Sequence, residues 1–428
     1  MTESQLPVLW RTLFSRVLAP WRTNTVLILF LCAFSARVAF VLVFGPTSPP
    51  VPWGDDASYD RIAYLWVTQH QYVNISYPPG YPIFLALIYA LVGRSWLVVR
   101  FLQAAIGAET CVLTYRLGTK LFTEREGIVA GFLLAIYPGH LFMSWRIMAE
   151  TLYMLLLVLS VLLALEIAEN PRPMQSLLLG VTVGCAQLVK SNLYIFPPML
   201  VVWFIFAVHG RWKRRLQCLA LLISGLVLVM MLTPITNLVS PGRQTAPLPG
   251  NAGRTFWTAN NPLADGYFIH AEDRPEGKAF IERNGLSERF ETASYFEKDR
   301  LYRTLGLLWI RENPGKYMVL CLKKLNNAFG LFPRAKVFAQ DSRARLVYLL
   351  SYGLIAPFAL GGLFTSRRRW RTCSLLYVVL LSYVLMVLLF YGTPRFTVVV
   401  IPFLLVFAGD SLVKCYDYLF WAHHETPD

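Results

Sequence analysis

The sequence predicts an all-α, polytopic membrane protein with about ten or more transmembrane helices and further helices lying in the outer interface. Two observations carry that class. Of 428 residues, 56% are hydrophobic and only 15% are charged, where a soluble domain carries about a quarter charged. Ten runs also approach or exceed the roughly 20 apolar residues that cross a hydrocarbon core.

The spans fall at 25–45, 97–117, 127–147, 150–168, 175–190, 193–209, 216–234, 345–365, 372–391 and 396–414. The first follows Arg11, Arg16 and Arg22 and is not followed by a small-residue cleavage site. It reads as an uncleaved signal anchor behind a cytoplasmic segment, 1–24. The clusters Arg211-Trp212-Lys213-Arg214-Arg215 and Arg367-Arg368-Arg369-Trp370-Arg371 are short and dense. The positive-inside rule puts both in the cytoplasm, with the Arg116–Arg125 loop and the tail 415–428. The segment 235–317 carries eleven Lys/Arg against ten Asp/Glu, a net of +1, which suits the outer side. The expected outer parts are a first loop at 46–96 and a large loop at 235–344, both belonging to one transmembrane domain, 25–414.

Two apolar segments are not read as spans. Tyr81–Gly93 is only 13 residues, about 20 Å of helix, and Tyr317–Phe332 is amphipathic, with Lys323 and Lys324 beside Leu320, Leu322, Leu325 and Phe329. Both are expected to lie in the outer interface. A net charge of +15 in a soluble protein would suggest nucleic acid; here it points to anionic membrane lipids, with no nucleic-acid partner. The seven cysteines are scattered, with no CxxC or Cys/His cluster, so neither a disulfide framework nor a zinc site is supported. Asn74-Ile75-Ser76 is a formal glycosylation sequon, which alone carries little weight.

This topology gathers polar residues on the outer face. Asp55 and Asp56 follow the first span, and two adjacent carboxylates at a membrane surface need a cationic neighbour or a part in chemistry. Glu150 sits where two spans meet. It reads as a second acid, holding a metal or orienting an acceptor hydroxyl, or simply as a carboxylate favoured by a helix N-terminus. Lys190 and Arg395 are lone cations at outer helix ends, suited either to snorkelling or to a lipid phosphate, for which Arg offers a bidentate fork. Arg254 is a further candidate for that phosphate. Tyr59, Tyr77, Trp257, Asn260 and Asn261 supply flat faces and amides of the kind sugars bind. His270 is the only histidine of the 235–317 loop and, with Asp56 and Glu150, a candidate ligand for a divalent metal ion. No organic cofactor is expected. Glu109, mid-span, is left outside the site.

Gly54-Asp55-Asp56-Ala57-Ser58-Tyr59, Tyr77-Pro78-Pro79-Gly80-Tyr81-Pro82 and the Arg100…Arg116 helix resemble motifs of the integral-membrane glycosyltransferases of the GT-C fold. So do Tyr137-Pro138 followed by Glu150, Ala259-Asn260-Asn261-Pro262…Gly266, and Arg395-Phe396…Pro402. The nearest likeness is to family 39 and its relatives: polyprenyl-phosphate-mannose-dependent protein mannosyltransferases, lipid A aminoarabinose transferases and rhizobial galacturonosyltransferase-like proteins. The resemblance implies an inverting glycosyltransferase that moves a hexose or pentose from a polyprenyl-phosphate donor to a hydroxyl of a glycan, lipid or protein. The reaction would take place on the outer (periplasmic) face of the plasma (inner) membrane. Asp55 matches the acid that acts as base on the acceptor, and Arg395 and Lys190 would hold the departing lipid phosphate. Where the aminoarabinose transferases have Glu-Lys before Pro-Pro, this chain has Ser76-Tyr77. With no soluble domain expected after the last span, acceptor recognition falls to the membrane part and the 235–317 loop. The alternative, a lipid-linked-sugar flippase or transporter, predicts repeated halves, broken helices at mid-membrane and charges along a crossing path. This chain instead gathers its polar residues on one face.

Overall fold

The computed structural model describes residues 23–51, 54–70, 77–191, 193–238, 251–331 and 341–421. Arg11, Arg16, Arg22 and the Asn74 sequon lie outside the described residues. Every expected span is helical, and no strand occurs among the described residues. Among the described residues, six helices are long and apolar enough to cross a membrane, or seven if a bent pair counts as one span. Pro173–Val189 and Phe196–Ala207 are shorter apolar helices.

The bent pair differs from the single span expected at 127–147. Glu124–Ile136 and Pro138–Trp145 meet at 52°, because Pro138 removes a backbone donor and disfavours helical geometry at Tyr137. Tyr137 is accordingly extended. The bend redirects the chain so that Arg146 and Glu150 follow at one end of the bundle. Likewise Ser342–Leu389 is interrupted by a π-helical turn at Leu349–Gly353 and a 3₁₀ turn at Ser366–Arg369.

Glycines set the helix crossings. A Cβ on Gly180 would lie 2.0 Å from the Leu222 carbonyl oxygen, and one on Gly225 2.5 Å from that of Leu177. The helices Pro173–Val189 and Trp212–Met230 therefore touch backbone to backbone, as small residues permit in membranes.

The two segments expected to lie in the interface form the helices Gly80–Val92 and Pro314–Phe329. Beside them the loop expected on the outer side folds into a helical lobe, here the outer lobe, from Ala252–Ala259 through Tyr295–Glu312, around Trp257, Phe280, Leu305 and Trp309.

Candidate active site

Four parts of the chain converge on one ion-paired group. Asp55 and Asp56 open the helix Asp55–Gln69, where two acids in the first turn meet the positive end of the helix dipole. Gly54 precedes them as N-cap, and a Cβ there would lie 2.4 Å from Asp56 Oδ1. Helical geometry then sends the two carboxylates apart. Asp56 turns inward: its Oδ2 accepts from Val51 N at 2.9 Å and Arg146 Nε at 3.0 Å. Asp55 instead faces Arg395, whose Nη2 donates to its Oδ2 at 2.6 Å, while the Tyr77 hydroxyl donates to its Oδ1 at 3.2 Å. The acidic pair is thus two sites with different partners.

Arg395 links the acids. Thr393 caps its short helix and Pro394 starts it. Its Nε donates to Glu150 Oε1 at 2.6 Å, and Lys190 Nζ donates to the same oxygen at 3.0 Å. Glu150 is fully buried and Lys190 nearly so, whereas the Asp55 and Arg395 side chains are each 32% exposed. Glu150 Oε2 and Asp56 Oδ1 are buried with no hydrogen-bond partner among the described residues. The four charges of Asp55, Glu150, Arg395 and Lys190 cancel. The inner pair is fixed and the outer pair is reachable.

Aromatic rings wall the group. Tyr59 lies edge-on between Tyr77 and Tyr81, at 5.0 Å from each. Burial, and then the Asp55 charge, push the Tyr77 hydroxyl up from its ordinary range, so it stays a donor. Phe396 lies under both Lys190 and Arg395. From Phe396 the rings continue through Tyr391 (5.4 Å) to Phe268 (5.6 Å), so the outer lobe borders the site. Gly80 packs on the backbone of Leu188 and Val189, which a Cβ would meet at 2.7 Å. The Tyr77–Gly80 turn is thereby seated against the segment leading to Lys190.

The remaining expected residues fall elsewhere. Trp257 is fully buried against Phe280, offering no open face. Asn261 is spent on its own turn, donating to Trp257 O and accepting from Leu263 N, and Asn260 is buried, donating to Leu389 O at 2.9 Å. Arg254 pairs with Glu272 at 3.0 Å. Asp56, Glu150 and His270 do not form one cluster of ligand atoms. Among the described residues, the group that could hold a metal ion is His270, Glu272 and Asp273, with ligand atoms within 4.8 Å of one another. Asp56 and Glu150 are each met by protein cations, so the expected trio does not fit a shared metal. Arg146 and Lys324 were not singled out from the sequence. In the sequence Arg146 ends a span on the expected outer side, the criterion that picked out Lys190.

Helix order and bundle are those of the GT-C fold of membrane proteins. A family model described as dolichyl-phosphate-mannose-protein mannosyltransferase matches residues 76–235. The oligosaccharyltransferase AglB of Archaeoglobus fulgidus in its apo form superposes with a TM-score of 0.58 and 15% identity, over 96% of this chain and 52% of that one. The same enzyme with an inhibitory peptide and a dolichol-phosphate gives 0.55 and 14%, over 95% and 52%. The chain thus spans about half the length of these structures. ArnT from Cupriavidus metallidurans bound to undecaprenyl phosphate aligns at 0.44 with 15% identity, over 95% and 82%, a likeness too weak to carry weight. No curated protein matches the sequence.

Proposed function

We propose that this protein is an inverting glycosyltransferase that moves a sugar from a polyprenyl-phosphate donor to an acceptor hydroxyl at the outer face of the membrane. The observation that carries this reading is the neutral Asp55–Arg395–Glu150–Lys190 group, whose outer half is reachable and whose inner half is locked. AglB with dolichol-phosphate supports the class of donor, and the family match supports sugar transfer.

The chemistry follows from the charges. A donor phosphate competes with Asp55 for the Arg395 fork, since both are oxyanions seeking the same planar donors. Arg395 turning to the phosphate frees Asp55 Oδ2 to accept the acceptor's proton. The acceptor oxygen attacks the anomeric carbon from the side opposite the phosphate, the C–O bond to phosphate breaks, and the configuration inverts. One negative charge leaves Asp55 and appears on the departing phosphate, beside Arg395 and Lys190, where preorganised cations lower the barrier. Glu150 keeps both cations in place throughout.

The test is mass spectrometry of cell-envelope glycans and glycolipids from a deletion strain carrying either wild-type protein or Asp55→Asn. A sugar lost on deletion, restored by wild type and not by Asp55→Asn, supports the reading. An unchanged glycan inventory would overturn it. The flippase alternative predicts instead that Asp55→Asn restores the sugar.

A further inference from the structure

Lys324 lies on the interfacial helix Pro314–Phe329 and is fully buried, yet none of the ion pairs among the described residues includes it. Burying a cation without a counter-charge is costly unless its protons are tied down. Here they are tied to one place. Nζ donates to Leu388 O at 2.8 Å and to Asn260 Oδ1 at 2.8 Å, while Asn260 Nδ2 donates to Leu389 O at 2.9 Å. The two side chains together cap the last carbonyls of the helix Trp370–Leu389, where four acceptors are orphaned and the dipole favours a cation. Burial draws the Lys324 amine down to about 7, in keeping with a group held for geometry at a cost.

The capped end is the root of the connector that carries Arg395. Gly392 passes so close to the interfacial helix that a Cβ would sit 2.1 Å from the Lys324 carbonyl oxygen. Its N–H donates to Gly266 O of the outer lobe at 3.4 Å. Beyond Arg395, the Thr397 hydroxyl donates to Ala328 O at 2.7 Å. The interfacial helix thus grips the connector on both sides of Arg395.

We propose that Lys324, with Asn260, is a positioning residue that sets the Arg395 guanidinium for a lipid phosphate and ties its placement to the outer lobe. This rests on the reading of Arg395 as the phosphate contact. It gives Asn260 a role in the architecture of the site rather than in sugar binding.

The test measures binding of a polyprenyl phosphate to the full-length protein in nanodiscs, with no transfer step required. Arg395→Ala should weaken binding about ten- to hundredfold and Lys324→Met roughly tenfold. Added to Arg395→Ala, Lys324→Met should cost no more than about a further twofold, the scatter of independent sites. Lys324→Arg, which keeps the charge and donors, should recover part of the loss. Binding by Lys324→Met equal to wild type, or a full additional loss in the double variant, would overturn the proposal. If Lys324→Met does not fold, Gly392→Ala decides: it displaces the connector without touching the amine, and unchanged binding by that variant counts against the proposal. Unchanged binding by Arg395→Ala would remove the phosphate reading itself, a separate failure.

Discussion

Replacing Glu150 by Gln isolates the electrostatic logic of the site. The amide keeps the volume and one acceptor oxygen but removes the carboxylate that bonds to both cations. Wild type balances two acids against two bases; the variant leaves a net charge of +1 around a fully buried position. Stranding a buried charge costs about 3–5 kcal/mol. Because Arg395 is a third exposed, water screens part of that, so a loss of about 2–4 kcal/mol is expected. Thermal unfolding of both proteins in the same detergent measures it. Polyprenyl phosphate supplies the missing negative charge, so at equal concentration it should raise the midpoint of Glu150→Gln more than that of wild type. Transfer should fall as well, because Arg395 is no longer held from behind. Wild-type stability together with an equal ligand shift would show that Glu150 does not hold these cations.

Arg395→Ala should cost about 1.5–3 kcal/mol of donor binding, read as the donor concentration needed for half-maximal turnover. Arg395→Lys should recover part, since it keeps charge without the fork; equal kinetics in wild type and alanine variant would sink the phosphate role. Lys324 offers a pH test. The unfolded chain holds its proton to about pH 10.5 and the folded chain only to about 7, so the unfolded state binds more protons between those values. Stability therefore rises with pH across that window, and the penalty is complete below it. Lys324→Met should flatten the rise by up to about 1.4 kcal/mol per pH unit, and an unchanged slope in pH-dependent unfolding would refute it. A cysteine placed in the 251–317 part of the outer lobe should react from outside with a membrane-impermeant thiol reagent, and one placed at 211–215 should not. The reverse pattern would overturn the outward-facing site.

Much of this architecture is written in local signals. Apolar runs mark the spans; Pro138, at the bend in the span read as single at 127–147, and the capping box of Ser294 with Glu297 that opens Tyr295–Glu312 are local signals too. Asp55, Glu150, Lys190 and Arg395 were legible for a simple reason: a charge at an outer helix end needs a partner, and these four are one another's partners. What was not legible depends on tertiary approach. Nothing local says that Asp55 and Asp56 face opposite ways, because that follows from a helix beginning at Gly54 rather than a loop. Lys324 sits beside Lys323 on an amphipathic helix, and only the fold shows that one is buried under the end of another helix. Trp257 and Asn261 carry a sugar-like composition, yet they serve the interior of the lobe and its turns, and Asn260 reaches the end of the helix Trp370–Leu389.

The central claim is that sugar leaves a polyprenyl phosphate here with Asp55 as base. The most direct measurement is release of free polyprenyl phosphate from a polyprenyl-phosphate-linked sugar by purified protein supplied with acceptor. Wild type should release it, and Asp55→Asn should release less than about a tenth as much while still binding donor, since a lost catalytic base costs 10²-fold or more. Release by Asp55→Asn at the wild-type rate, or none by wild type with any polyprenyl-phosphate sugar, would contradict the account.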